Sequence, residues 1–460
     1  MKPKLLSLFS IFLVSTSLFA QQPQGVVLND LTLEACIEQG LANSVAIANA
    51  KLDYQKAKAD VGVIKADGLP QASLSTGFTH NFKIPVAFLP ASTFDRTAPP
   101  DLIVPARFGV NYGANLSGSF TQLLFDGTYL LGLKAASTYS QLTEKLVTRT
   151  EIDVRTNVSK AFYGVLIAKQ RLGLLEANQK RLEALLNDTK ALYKAGIVEK
   201  LDADRIEVTF NSIKIEVQKM QRLLELSTAL LKFQMGLQAY DQISVKGELK
   251  DLESNTAALK ASLATNDDNF DYQQRIETNI LENQIVLERY NVRRFRMGYY
   301  PRLTFGFNYG ANAGGNQFGD VFKFTERWFT QGSYSLGLSI PIFDGLRKHY
   351  QIQGAKVGLL KAENTLKETK RGIDLEIKQS KISLRNALET LEAQQKNMEL
   401  AREVARITKV KYKEGVGSNM EVIEAENSFI TAETNYYAAL YDAVIAQTDL
   451  DKARGELNKK

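Results

Sequence analysis

The residues that most often carry out chemistry in proteins are scarce in this chain. It has two histidines, His80 and His349, and a single cysteine, Cys36. Neither histidine has the neighbours in sequence that a metal site or a nucleophilic triad requires, and one cysteine cannot form an intrachain disulfide. We therefore predict that the chain is not an enzyme and that it has no catalytic residue, no metal site and no cofactor.

An aspartate occurs twice in this chain within the same short motif, Phe-Asp-Gly. LLFDGTYLLGLKAAS spans residues 123–137, and PIFDGLRKHYQIQGAK spans residues 341–356. In both segments an apolar run ends at Phe-Asp-Gly and a helical pattern follows, so the aspartate lies where a helix N-cap is expected and the glycine can adopt unusual backbone angles. A catalytic role is the alternative, but it has little support. The residues concerned are Asp126, Gly127, Asp344 and Gly345.

Phe-Asp-Gly belongs to a larger internal repeat. The motif recurs after 218 residues, and ALYKAGIVEKLDADRIEVTF (191–210) returns 219 residues later as VKYKEGVGSNMEVIEAENSF. A third match pairs KADGLPQASLSTGF (65–78) with RMGYYPRLTFGFNYG (296–310), where a helical pattern ends at Pro70 or Pro301 and an alternating pattern begins. Three matches in the same order predict a duplicated structural unit.

The repeat sets the predicted domain organisation. We expect a first repeat over residues 21–240, an inter-repeat segment over 241–270 and a second repeat over 271–460. Residues 1–20 join two lysines to an apolar stretch that ends in alanine, which predicts a secretory signal peptide. A transmembrane anchor is the alternative, but the stretch of about fifteen residues is shorter than the roughly 20 that a membrane-spanning helix needs.

Four segments alternate between apolar and small polar residues, with the period of two that is typical of β-strands. Two of them are PRLTFGFNYG (301–310) and GSYSLGLSIPIF (332–343), and the first repeat has two more, around Leu74 and around Leu116. A half-buried soluble sheet is one explanation. However, the strands are roughly 10 to 13 residues long, close to the length that crosses a bilayer at a tilt, and their polar face suits a wet lumen.

Four strands are too few for a transmembrane barrel, because known barrels have at least about 8 strands and open edges are not tolerated in lipid. The chain is therefore predicted to be an oligomer. A dimer would give about 8 strands around a filled interior, whereas a trimer would give about 12 strands and an aqueous lumen. The small polar faces of the strands favour a homotrimer.

Long helices account for most of the remaining sequence. Between Gly127 and Tyr193 no proline interrupts the pattern, which predicts a helix of roughly 100 Å. Leu175, Leu182 and Leu186 follow the spacing of a coiled-coil seam. The Lys, Arg, Asp and Glu residues are interspersed, so the formal charge of +6 indicates a solvated helix surface and not a nucleic-acid patch. A plain coiled-coil scaffold would not need the strands.

Together these segments resemble the TolC-type outer-membrane efflux and secretion channels. The resemblance rests on LTLEACIEQGLANS (31–44), the two helix-to-strand prolines, the two Phe-Asp-Gly segments and the paired Tyr-Lys-x-Gly segments, and it covers essentially the whole mature chain. It implies a mainly α fold with membrane β structure: a long α-helical barrel, and four strands per chain in a trimeric 12-stranded outer-membrane β-barrel. The segment 241–270 would belong to an equatorial region.

The resemblance also implies a function. The chain would be a passive exit duct in the outer membrane of a Gram-negative cell, with its helical barrel in the periplasm. Its partners would be a periplasmic adaptor protein, an inner-membrane transporter and outer-membrane lipid, without nucleic acid. A free-standing general porin and a coiled-coil envelope scaffold are the alternatives, and nothing in the sequence specifies the cargo.

Three sets of site residues follow from the same resemblance. The adaptor would contact the turns Gly196-Ile197-Val198 and Gly415-Val416-Gly417. The pore aperture would be lined by Asp202, Glu421 and Glu424; the alternative is that these acids are ordinary favourable charges near helix N-termini. The transitions from barrel to helix would lie at Pro70, Asp126, Gly127, Pro301, Asp344 and Gly345.

Overall fold

A computed structural model of the chain describes residues 27–99, 101–247, 256–264 and 269–458. The predicted signal peptide lies outside the described residues. The helices are α1 (Leu33–Asn43), α2 (Val45–Asp67), α3 (Gly127–Lys194), α4 (Lys200–Gln234), α5 (Thr256–Leu263), α6 (Ile276–Met297), α7 (Arg347–Lys413) and α8 (Asn419–Arg454). The strands are β1 (Val27–Leu31), β2 (Gln71–His80), β3 (Val86–Pro90), β4 (Ile103–Arg107), β5 (Tyr112–Phe125), β6 (Gln242–Val245), β7 (Arg302–Gly315) and β8 (Trp328–Ser339).

The chain forms two compact units, and both sequence repeats contribute to each of them. The unit with the helix-hairpin turns, here called the tip unit, takes its described residues from Met1–Ser44, Val154–Ala264 and Leu384–Thr448. The unit with the large sheet, here called the sheet unit, takes them from Val45–Asp153, Thr265–Ser383 and Asp449–Lys460. The predicted repeat boundaries therefore do not coincide with compact units, and they stay predictions.

Apolar side chains from helices and strands close the core of the tip unit. The Thr32 hydroxyl accepts a hydrogen bond from the Ala35 backbone N–H and so caps α1, which brings Cys36 into the interior. β1 and β6 pair in parallel. Burial, with the nearby charge of Glu34, raises the pKa of the Cys36 thiol to about 12, so this cysteine is an inert core residue. The core contains Leu31, Cys36, Val158, Phe162, Leu231, Met235 and Val245.

The four predicted strands form one antiparallel sheet in the sheet unit, in the order β2-β5-β7-β8. The first repeat supplies the pair β2 and β5, and the second supplies β7 and β8. The β5–β7 pairing, which runs from Tyr112 opposite Gly315 to Phe125 opposite Leu303, joins the two repeats. Among the described residues, β2 and β8 each pair with one neighbour only, so the sheet has two open edges.

Two features of the strands differ from the expectation. The proline-rich segment between the first two sheet strands shows none of the alternation from which the four strands are predicted, but it contains the separate hairpin β3–β4. Prolines at Pro90 and Pro105 are compatible with strands that lie outside a central sheet. The last strand, expected to run to Phe343, ends at Ser339, because Pro341 has no backbone N–H to donate to a ladder.

A buried arginine joins α6, α7 and α8 in the sheet unit. Arg275, at the N-terminus of α6, is only 5% exposed. Its guanidinium contacts the carboxylates of Glu277 and Glu376 at 2.9 Å each and donates to the Ala453 carbonyl oxygen at 2.7 Å. The positive charge is thereby matched by two carboxylates and by the carbonyl end of α8, which offsets the cost of burying it.

Candidate functional site

The helix hairpin α3–α4 ends in a tight turn at Gly196. The Ile197 backbone N–H donates to the Leu192 carbonyl oxygen and the Gly196 N–H donates to that of Tyr193, both at 2.9 Å. These two bonds, with a φ of +74° at Gly196, define a Schellman cap. A side chain at Gly196 would meet nothing within 4 Å, so the backbone angle and not crowding requires glycine.

The second hairpin, α7–α8, repeats the same turn. The Val416 N–H donates to the Lys411 carbonyl oxygen at 3.0 Å and the Gly415 N–H donates to that of Tyr412 at 3.1 Å, with a φ of +77° at Gly415. Gly417 serves differently, since a Cβ atom there would lie 3.1 Å from the Tyr412 backbone nitrogen. The two copies thus share their backbone cap across the repeat.

Both turns present apolar side chains to solvent. Ile197 is 68% exposed and Val416 is 80% exposed. Val198 is half-buried. A branched aliphatic side chain at the apex of each hairpin is a surface that a partner protein could bury, because burying such a side chain contributes roughly 1.5–3 kcal/mol.

The acids predicted to line an aperture begin the helices that follow these turns. Glu421 and Glu424 are exposed and lie one helical turn apart on α8. The Ser418 hydroxyl accepts a hydrogen bond from the Glu421 N–H at 3.2 Å and so caps the helix. Asp202, in the first turn of α4, is half-buried, so it is less available to solvent than the two glutamates.

Asp202 has a partner that sequence reasoning missed. Asn419, the first residue of α8, donates from Nδ2 to the Asp202 carbonyl oxygen at 3.0 Å and to Asp202 Oδ1 at 3.3 Å. These bonds join the first turns of α4 and α8. The repeat could not reveal Asn419, because the corresponding position of the first copy holds Lys200.

A groove with both polar and apolar lining residues lies beside Glu424 on the tip unit. It has a volume of about 550 Å³ and is formed by α7 and α8. Glu424 is the charged residue among those that line the groove, and the other polar lining residues are neutral amides and hydroxyls that can hydrogen-bond to water. The amide and hydroxyl residues that line it are Gln394, Asn397, Asn427, Ser428, Thr431 and Asn435.

At the first strand-to-helix junction, Asp126 caps α3. Its carboxylate accepts from the Thr128 N–H at 2.7 Å and lies 3.7 Å from the Arg302 guanidinium. Burial acts to raise the pKa of Asp126. Hydrogen bonds from the Thr128 hydroxyl and from the Thr128 and Tyr129 backbone N–H groups, with the charge of Arg302, outweigh it, so the pKa lies below its ordinary value. Gly127 begins the helix and is not among the positive-φ glycines; a Cβ there would lie 3.2 Å from Met297, so close packing favours glycine.

The second junction is built differently. Gly345 and Leu346 have φ values of +67° and +65°, and α7 begins only at Arg347. Asp344 therefore precedes the cap position, although its carboxylate accepts from the Lys348 N–H at 3.2 Å and contacts Lys348 Nζ at 3.0 Å. Before the first strand of each pair, Pro70 and Pro301 lie between a helix and a strand, at the same end of the sheet as the two junctions.

The two histidines have ordinary surroundings. The His80 ring stacks on Tyr112 with 4.5 Å between centroids, and His349 Nε2 lies 2.9 Å from Gln353 Nε2. In the part of the chain that the structure describes, no group of three or more His, Cys, Asp and Glu side chains could hold a metal ion. The same residues include no helix that is long and apolar enough to cross a membrane.

The faces of the four-stranded sheet are chemically opposite. On one face Phe307 lies opposite Tyr334 of β8, with 5.0 Å between ring centroids. On the other face, Ser73 and Ser119 share a hydrogen bond of 2.7 Å. A sheet with an outward aromatic face and a hydroxyl-lined face is typical of a barrel wall in lipid. Exposed apolar residues of the aromatic face include Leu74, Phe78, Leu116, Tyr309, Tyr334, Leu336 and Leu338.

Such a sheet, combined with two long helix hairpins, is typical of outer-membrane channel proteins. The family model described as "Outer membrane efflux protein" matches residues 36–237 and 282–456. The chain belongs to this family. It is an outer-membrane exit duct, and its helical barrel extends into the periplasm.

Similar proteins agree with this assignment. Nodulation protein T of Rhizobium leguminosarum bv. trifolii is 20% identical over 90% of this chain and 83% of its own length. Outer membrane protein TolC of Vibrio cholerae is 20% identical over 74% of this chain and 76% of its own. The crystal structure of CusC covers 95% of both chains with a TM-score of 0.74 at 16% identity, and it shows that the fold is the same.

Replacing Asn419 with alanine tests the contact between α4 and α8. The variant loses both hydrogen bonds to Asp202, at a cost of about 1 kcal/mol. We expect backbone amides in the first turns of both helices to exchange with solvent about fivefold faster in a hydrogen-exchange measurement. Asn427→Ala, which removes an exposed amide from the same helix, is the matched control. Equal exchange in the two variants would contradict the contact.

Proposed function

We propose that this outer-membrane duct works as a homotrimer that receives its cargo from a periplasmic adaptor and an inner-membrane transporter. It conducts passively, with no catalytic step and no cofactor, and the transporter selects the cargo. The observation that carries the proposal is the four-stranded sheet, which has an aromatic face and, within the described part of the chain, two open edges. A free-standing porin would not need the paired apical turns, and a coiled-coil scaffold would not need the sheet.

The topology of the sheet favours a closed ring of copies. Within one chain, the second strand of the first repeat, β5, pairs with the first strand of the second repeat, β7. The same relation between chains would pair β8 with β2 of the next copy. Three copies would then give a barrel of about 12 strands in which each backbone group has a partner, which lipid requires. The surrounding lipid would contact the aromatic face.

The oligomeric state can be measured directly. After extraction in mild detergent, mass determination with correction for bound detergent should give three times the mass of one mature chain, because only shared strands satisfy the open edges of β2 and β8. Conductance in planar bilayers should accompany the trimer fraction alone. A monodisperse monomer that still forms channels would contradict the proposed architecture.

The exposed apices suit adaptor binding. Ile197 and Val416 occupy equivalent places in two copies of one turn, so three chains would present six similar apolar sites. The glycine caps hold each apex in a defined backbone conformation, which lowers the ordering cost of binding. Val198 and Gly417 complete the two surfaces, as the resemblance to the family implies.

Introducing charged residues at the apices of the two helix hairpins tests whether they bind the adaptor. Ile197→Asp/Val416→Asp keeps both glycines, and so the turns, but places carboxylates on a surface that binding would bury. We expect at least a tenfold loss of affinity for the adaptor that co-purifies with the unaltered channel, measured with purified proteins. Leu375→Asp, at a similarly exposed apolar residue of the sheet unit, is the control. Unchanged affinity in the double variant would exclude these turns as the docking site.

The exposed glutamates suit a cation-selective aperture. Glu421 and Glu424 of three chains would form a ring of six carboxylates. Two such charges about 6 Å apart repel by roughly 0.7 kcal/mol in bulk water, and by several-fold more in a narrow, poorly solvated pore. Cations relieve this repulsion, so the ring should attract them. Asp202 is held by Asn419, and we assign it to the support of the ring.

Ion selectivity tests the aperture. In planar bilayers with dilute salt, the unaltered channel should prefer cations and should be blocked by multivalent cations. Glu421→Gln/Glu424→Gln should weaken both properties together. Both should also fade as salt rises, because screening shortens the reach of a charge to about 8 Å at physiological ionic strength.

A matched double variant controls for the loss of charge alone. Glu389→Gln/Glu392→Gln removes two glutamates with the same spacing from α7, where Glu392 already contacts Lys260 at 3.1 Å. Its reversal potential and its block should stay close to those of the unaltered channel. If the aperture variant behaved like this control, the selectivity ring would have to lie elsewhere.

A further inference from the structure

Two acids occupy the buried seam of α8. The seam residues are spaced by three and four, as in a coiled coil, and such positions ordinarily hold apolar side chains. Glu426 is 7% exposed and Glu433 is 5% exposed, on either side of the buried Phe429. The full seam is Val422, Glu426, Phe429, Glu433, Tyr436 and Leu440. The predicted channel function does not use these two glutamates.

Glu433 is held by a neutral partner. Its Oε2 atom accepts a hydrogen bond of 3.2 Å from Nδ2 of Asn178, a residue of α3 that is 3% exposed. The Asn178 side-chain oxygen in turn accepts from the Arg181 guanidinium. Among the described residues, no Lys or Arg nitrogen lies within 4.0 Å of the Glu433 carboxylate, so the buried charge has no direct ion pair.

The nearby arginines contact an aromatic ring instead. Arg181 of α3 and Arg402 of α7 lie 5.3 and 5.7 Å from the centroid of Phe429. This is the distance range of a cation–π contact. Both cations therefore act on Glu433 only from a distance, and Glu426 adds a negative charge. From α4, the side chains in the neighbouring core cluster are apolar: Ile213, Val217 and Met220.

We propose that this cluster is a proton-responsive brace, in which protonation of Glu433 strengthens the packing of α8 against α3 and α7 and ionisation weakens it. The buried carboxylate, bonded to one neutral amide, is better accommodated without its charge. As a carboxylic acid it can keep the bond from Asn178. Periplasmic acidity would then stiffen α8, which carries Glu421 in its first turn, whatever cargo the channel serves.

The direction of the effect follows from linkage. Burial raises the pKa of Glu433 above its ordinary value; the Asn178 hydrogen bond, Arg181 and Arg402 oppose this rise, and Glu426 adds to it. In a form in which α8 has separated, the same group would have an ordinary pKa. The packed form therefore binds the proton more tightly, so its advantage is complete below the ordinary pKa and is lost as pH rises through the raised one.

Hydrogen exchange of the whole detergent-solubilised channel tests the brace. Protection factors for α8 amides near Glu433, corrected for intrinsic exchange, should fall as pH rises from 4 to 8. The fall can reach about tenfold per pH unit between the ordinary and the raised pKa. Glu433→Gln keeps an acceptor for Asn178 without the charge, so its protection should be high and independent of pH.

Two neighbouring variants give opposite expectations. Glu426→Gln removes a like charge and should move the midpoint of the step to lower pH, whereas Arg402→Gln removes a cation and should move it to higher pH. Glu399→Gln, an exposed change on α7, should leave it in place. A flat profile in the unaltered channel, or a step that persists in Glu433→Gln, would overturn the proposal. If Glu433→Gln does not fold, unshifted midpoints in the other two variants would overturn it.

Discussion

A backbone amide or carbonyl group in lipid must find its hydrogen-bond partner within protein, and the rest of the structure depends on this requirement. The four sheet strands satisfy one another internally, but β2 and β8 each leave one side unpaired among the described residues. No choice of side chain can correct an open backbone edge. Pairing between copies of the chain can satisfy these edges, and the duplicated sequence suits it. Within one chain β5 of the first repeat pairs with β7 of the second, and β8 can pair in the same way with β2 of the next copy.

The two repeats keep what the backbone requires and vary the rest. Both helix hairpins end in the same glycine cap, because the left-handed angle at Gly196 and Gly415 leaves little alternative. The strand-to-helix junctions are less constrained. Asp126 leads directly into α3, whereas Gly345 and Leu346 form an additional turn before α7, so one motif in the sequence produces two local structures.

The sequence sufficed where a single pattern determined the structure. Alternation along PRLTFGFNYG predicted β7, and an uninterrupted helical pattern predicted α3. The β3–β4 hairpin was missed because prolines obscured two short strands, and β1–β6 because a parallel pair joins segments more than 200 residues apart. Asn419 and Glu433 were missed for a related reason: a polar residue in a helix resembles a solvated one until the helices that bury it are placed.

Arg275 has a consequence for the order in which the chain can mature. It begins the second repeat's first helix, yet it binds the Ala453 carbonyl oxygen, 178 residues further along. A polypeptide that emerges from the ribosome or the export machinery with its amino end first cannot complete this set of contacts until the end of α8 follows. The sheet unit is therefore completed only once residue 453 has been synthesised and exported. A molecule cut short before that residue would keep the contacts of Arg275 with Glu277 and Glu376 but would lose its hydrogen bond to the Ala453 carbonyl oxygen.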